Sequence, residues 1–136
     1  MATSRKAKEL GERARSNLKA AYQLYKQGYY NESSQLAHDA AEKALKAFLI
    51  KANIDMSDLQ YKHDLVPLLE RACQKYPQLA PFKEGAEKTD INYMPSRYPG
   101  GGAIRVTSQS AKSDCEYANS ICTPLFKAID LDVIEK

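Results

Sequence analysis

Three short stretches of this 136-residue sequence carry side chains that can do chemistry at useful spacing. The first is Tyr61-Lys62-His63-Asp64, just before a run of helical period. A helix start presents free N–H groups and the positive end of its dipole, which suits an anion. Lys62 and His63 would add charge and hydrogen-bond donors there. A structural reading competes: Asp64 caps its own helix and His63 bonds neighbouring backbone. The second stretch is Tyr93-Met94-Pro95-Ser96-Arg97-Tyr98-Pro99. An Arg97 guanidinium can clamp phosphate bidentately, and Tyr93 and Tyr98 offer faces on which a base can stack. Equally, a proline-pinned connector would pair Arg97 with an acidic neighbour and pack its tyrosines on the protein body. In the third, Gly28-Tyr29-Tyr30-Asn31-Glu32, the tyrosines read as packing residues that fix a turn.

Other chemistry finds little support. The two histidines, His38 and His63, belong to no HExxH pattern, and no GxGxxG, Walker-type loop or GxSxG elbow is present. Gly100-Gly101-Gly102 follows no strand and precedes no Lys-Ser/Thr pair, so it reads as flexible backbone. Cys73, Cys115 and Cys122 are odd in number and lack a CxxC pair, which argues against a disulfide framework or zinc site. They read as small buried thiols. No catalytic residue, metal ligand or cofactor is assigned.

The elements that must position these residues are helical. Ala7, Leu10, Ala14, Leu18, Ala21 and Tyr25 recur at steps of three and four, and Gly28 ends that segment. Asn31 or Ser33 can cap a second segment, in which Leu36, Ala37, Ala40, Ala41, Ala44, Leu45, Phe48 and Leu49 recur as pairs. Its small side chains admit a close neighbour, so it is expected at the centre. Its polar positions, including Asp39, Glu42, Lys43 and Lys46, read as a solvated salt-bridge face. A third helix is capped by Asp64, carries Pro67 in its first turn and ends at Pro77. A fourth begins near Leu79 or Pro81 and breaks at Met94-Pro95. The last opens near Ser108 or Ser110, and Pro124 should kink it or split off its final turns. Ile104-Arg105-Val106-Thr107 is too short to build a sheet. The expected architecture is an all-α, up-and-down bundle of four to five helices.

Composition agrees with one such domain over residues 1–136, its core at about 7–130. Apolar residues make up 43% and charged residues 27%, with six Gly and six Pro, which excludes disordered and collagen-like classes. No apolar run approaches the ~18 residues that span a bilayer. The basic N-terminus lacks the apolar stretch of a secretory signal, so a cytoplasmic location is expected. The net charge of +3 divides unevenly: residues 1–27 carry +5 and the remainder −2. A basic first helix attracts phosphate or simply faces water.

In combination, Gly28-Tyr29-Tyr30, the run Ala40-Ala41-Glu42-Lys43-Ala44-Leu45-Lys46-Ala47, His63-Asp64-Leu65 with Leu68-Leu69, and Tyr93 before Arg97-Tyr98-Pro99 resemble the HEPN family. This is the "higher eukaryotes and prokaryotes nucleotide-binding" helical domain. The resemblance implies a homodimer whose groove takes nucleotide or RNA, often beside a minimal nucleotidyltransferase subunit, as in toxin–antitoxin-like pairs. Lys62, His63, Tyr93, Arg97 and Tyr98 would then line the ligand site. Other relatives are metal-independent ribonucleases marked by an Arg followed four to six residues later by a His. No Arg here has a His at that distance, which implies a non-catalytic branch. A protein-docking subunit with no ligand is the alternative reading, and a ribonuclease using His63 or His38 a further one.

Overall fold

The computed structural model describes residues 2–59, 62–97 and 106–131, with side chains for 5–59, 62–93 and 106–131. Helix α1 (Ala2–Lys26) buries the stripe its period announces: Ala7, Ala14, Leu18 and Ala21 are wholly enclosed. It ends in a Schellman turn. Gly28 takes φ +87, its N–H bonds Tyr25 O at 3.1 Å, and Tyr29 N–H reaches Leu24 O at 2.9 Å. That turn leads directly into α2 (Tyr30–Lys51), whose N-cap position is Tyr29 and carries no side-chain cap bond. Neither Asn31 nor Ser33 caps this helix. Ser33 is instead buried and donates its hydroxyl to Ala21 O at 2.8 Å.

Helix α2 is central, packing along α1 and also touching α3 (Leu65–Cys73), α4 (Lys83–Arg97) and α5 (Ser108–Ala128). In α3, Leu65, Leu68, Leu69 and Ala72 are buried. The fourth helix starts later than its apolar residues suggest. Pro77 and Pro81, each lacking an N–H, sit in a tight 3-10 turn over Pro77–Phe82 that buries Leu79. Helix α4 then continues through Pro95, so the expected break at Met94-Pro95 does not occur. A proline so near a C-terminus removes one bond from turns that are already weak.

Thr107 and Ser110 form a reciprocal capping box at the start of α5. The helix runs unsplit through Pro124, because Leu125, Phe126 and Ile129 beyond it are held in the core. Cys115 and Cys122 are buried and Cys73 is half-buried, all as free thiols. The fold is an all-α bundle, and no strand occurs among the described residues. No helix among the described residues is long and apolar enough to cross a membrane.

Candidate functional site

Because α2 has neighbours on nearly every side, its polar face is not solvated. His38, Glu42 and Lys46, spaced i, i+4 and i+8, are at most 8% exposed. The expectation of a solvated salt-bridge face fails here because α3 and α4 cover it. Each buried charge has therefore found a partner, as it must. Lys46 Nζ donates to Glu42 Oε2 at 2.9 Å. His38 Nε2 lies 2.9 Å from Asp90 Oδ1 on α4. Lys43, on the next strip of α2, donates to Asn17 of α1 at 2.7 Å.

Asp90 also determines what happens at the α3 N-terminus. Its carboxylate accepts Leu65 N–H at 2.8 and 3.0 Å and Val66 N–H at 3.2 Å. The anion suited to those N–H groups is thus a side chain of the protein itself. Asp64 occupies the N-cap position without a side-chain cap bond. Since Asp90 acts as acceptor throughout, His38 Nε2 is the proton donor in their contact.

Tyr93, one turn beyond Asp90, is 7% exposed and stacks on His38 with ring centroids 3.9 Å apart. The expected open stacking face is consequently covered by imidazole. Above this layer stands His63, 63% exposed, its ring centroid 6.5 Å from that of Tyr93 and its Nδ1 3.5 Å from Glu42 Oε1. Lys62 is exposed beside it. The structure thus brings His63 and Tyr93 into one cluster with His38, Glu42 and Asp90. Position 97 lies one turn beyond Tyr93 on α4, but the Arg97 side chain and all of Tyr98 fall outside the described residues.

A second buried carboxyl adjoins the cluster. Asp114 of α5 is 2% exposed, and burial pushes its pKa up from 3.8 to about 6. Ser34, Asn92, Thr89 and the charge of His38 pull the other way, with Asn92 Nδ2 donating at 3.1 and 3.2 Å. Sequence reasoning missed Asp90 as the partner of His38 and Asp114 as a buried carboxyl beside the cluster. Little in the sequence signalled this: Ala37 and Ala41 border the strip at 38, 42 and 46 on one side, but Asp39 and Lys43 border it on the other, as on a free helix face.

The HEPN domain family model matches residues 7–129. Two solved structures share the fold. One is TT1696 from Thermus thermophilus, with a TM-score of 0.79 at 24% identity, covering 90% of this chain and 98% of that one. The other is ST0689, described as an archaeal HEPN homologue, with a TM-score of 0.71 at 26% identity, covering 91% of this chain and 98% of that one. No curated protein sequence matches this chain at comparable significance.

Proposed function

Since this chain belongs to the HEPN domain family, we propose that it is a non-catalytic module that binds a nucleotide or RNA. The observation that supports this reading best is the exposed Lys62–His63 lip over the buried His38–Glu42–Asp90 cluster. A fixed, ordered base beneath two exposed cationic or donor side chains is suited to hold phosphate. In this reading Lys62 and Arg97 contact phosphate and His63 donates a hydrogen bond. Tyr98 offers the stacking face, while Tyr93 supports the site from below through His38. The module works as a homodimer, with a minimal nucleotidyltransferase as its separate partner subunit.

The test is isothermal titration of the metal-free chain with ATP and with short RNA at low and high salt, with light scattering for mass. The expected result is saturable binding that salt weakens, and at least tenfold weaker binding in Arg97→Ala at an unchanged melting temperature. Absence of heat with either ligand would overturn the reading in favour of a protein-docking subunit. His63, with Glu42 beside its Nδ1, is the residue a ribonuclease would use. Metal-free RNA digestion that disappears in His63→Ala would replace the non-catalytic reading with that one.

A further inference from the structure

The basic charge of α1 takes no part in the site above. Lys8, Arg15, Lys19 and Lys26 follow one another at i, i+7, i+11 and i+18. At about 100° and 1.5 Å per residue, they fall within about 20° of one line, about 27 Å long. The line runs beside the seam with α5, because Tyr22, about 40° round the helix from it, donates its hydroxyl to Cys115 O at 3.3 Å. Lys8, Lys19 and Lys26 are exposed. Arg15 is half-buried, its Nε enclosed and without a hydrogen-bond partner, so packing and not an acid positions it.

No ion pair among the described residues involves any of these four. Elsewhere Lys46, Lys51, Arg71, Lys83 and Lys88 each meet a carboxylate. The acids beside the line are Glu12 on α1 and Glu116 on α5, whose charge bears on Tyr22. Neither pairs with the four cations. Like charges one turn apart, such as Arg15 and Lys19, repel, and a bound polyanion relieves that cost. The line ends at an aromatic residue. Gly28 turns the chain just past Lys26, and the next residue, Tyr29, is left 55% exposed. Tyr30 alone of the two turn tyrosines packs on Tyr25, their ring centroids 5.7 Å apart.

We propose that this edge of α1 holds the backbone of single-stranded RNA, with Lys8, Arg15, Lys19 and Lys26 on phosphates and Tyr29 beneath a base. The proposal rests on the RNA-binding reading above and extends it from a nucleotide-sized site to a strand. A positive track with an aromatic face at its end holds single strands without reading their sequence. A membrane surface fits less well. The outward positions Glu12, Ser16 and Gln23 are polar and exposed, leaving no apolar face to enter lipid.

The test is fluorescence anisotropy of a labelled oligouridine of about 20 nucleotides with the full chain across a range of salt. The triple variant Lys8→Gln/Lys19→Gln/Lys26→Gln, at exposed positions, should bind it at least tenfold more weakly. Its slope of log K against log salt should fall by about 2, at ~0.7 per lost phosphate contact. Its affinity for ATP should match that of the natural chain. Tyr29→Leu should weaken RNA binding about three- to tenfold with the salt slope unchanged, since stacking releases no counterions. Lys75→Gln/Lys83→Gln/Lys88→Gln removes equal charge elsewhere and should change affinity less than threefold. Binding of ATP without binding of the oligouridine would overturn this surface and leave the Lys62–His63 lip standing. RNA binding that the α1 triple variant abolishes, without any binding of ATP, would support this surface and overturn the lip. An α1 variant with undiminished affinity, or a control variant weakened as much, would overturn the proposal. So would binding to phosphatidylserine vesicles in place of RNA.

Discussion

The two flanks of α2 are built on different physics. On one flank the helix presents Ala37, Ala40, Ala41 and Ala44, which share one apolar core with Ala14, Leu18, Ala118, Ile121 and Cys122 of α1 and α5. Toward α3 and α4 it presents His38, Glu42 and Lys46, each held by a charged or hydrogen-bonding partner. On the apolar flank every side chain contributes its own burial and dispersion, nearly independent of pH. On the polar flank no group is tolerable without the next one, and the free energy belongs to the set. One helix can thus anchor a graded, damage-tolerant core and a site whose members stand or fall together.

The sharpest way to break that contrast is to remove one residue at each flank. Asp90→Ala deletes the acceptor of two α3 backbone N–H groups and of His38 at once. It should cost about 3–5 kcal/mol, the range for leaving buried polar partners stranded. Leu18→Ala, wholly buried on α1 in the core that the apolar flank joins, should cost about 2–5 kcal/mol as a cavity. Denaturant melts at several pH values separate the two mechanisms. The cost of Leu18→Ala should stay constant with pH, whereas Asp90→Ala removes a charge and strands charged partners, so its cost should depend on pH. If Asp90→Ala lost less than about 1 kcal/mol, the polar flank would behave as an ordinary wetted surface.

Asp114 sharpens the contrast at intermediate magnitude. Burial raises its carboxyl from 3.8 to about 6, so the folded chain holds a proton that the unfolded chain has released. Its contribution to stability is complete below about pH 4 and is lost as pH rises through about 6. The shift corresponds to about 3 kcal/mol. Asp114→Asn stays uncharged throughout, so its stability relative to the natural chain should improve by up to that amount between pH 4 and pH 7. Parallel stability curves for the two proteins over that window would show that Asp114 is not desolvated as its burial implies.

What could be read from sequence follows the same division. Apolar period located the stripes of α1, α2, α3 and α5 and the central place of α2, because burial repeats at 3.6 residues wherever a helix meets a core. The prolines were harder. Pro95 and Pro124 lie inside helices whose context outweighs one lost backbone bond. In the candidate site, His63 before a helix start and Tyr93 in a proline-pinned stretch were recognisable as residue types with chemistry. Their relation to His38 was not, since Asp90 meets His38 across 52 positions of chain. Glu42 and Lys46 at i, i+4 look alike whether water or another helix faces them. Only tertiary contact distinguishes a solvated pair from a buried one.

The smallest effect concerns close approach, the property that alanines supply on the apolar flank and Gly85 supplies between α4 and α5. A β-carbon at Gly85 would stand 2.5 Å from Cε1 of the Tyr117 ring, well inside contact distance. That ring is partly buried, with Phe82 packed edge-on against it. Two opposed terms decide the outcome of Gly85→Ala. Replacing glycine within a helix gains about 0.5–1 kcal/mol of backbone entropy, while overpacking a filled contact costs about 1–3 kcal/mol. With Phe82 packed against the partly buried ring, overpacking should prevail and leave the variant roughly 0–2 kcal/mol less stable, with an unchanged denaturant slope. Net stabilisation would mean that Tyr117 moves aside freely. The α4–α5 contact would then be a loose one, and close approach would matter only along α2.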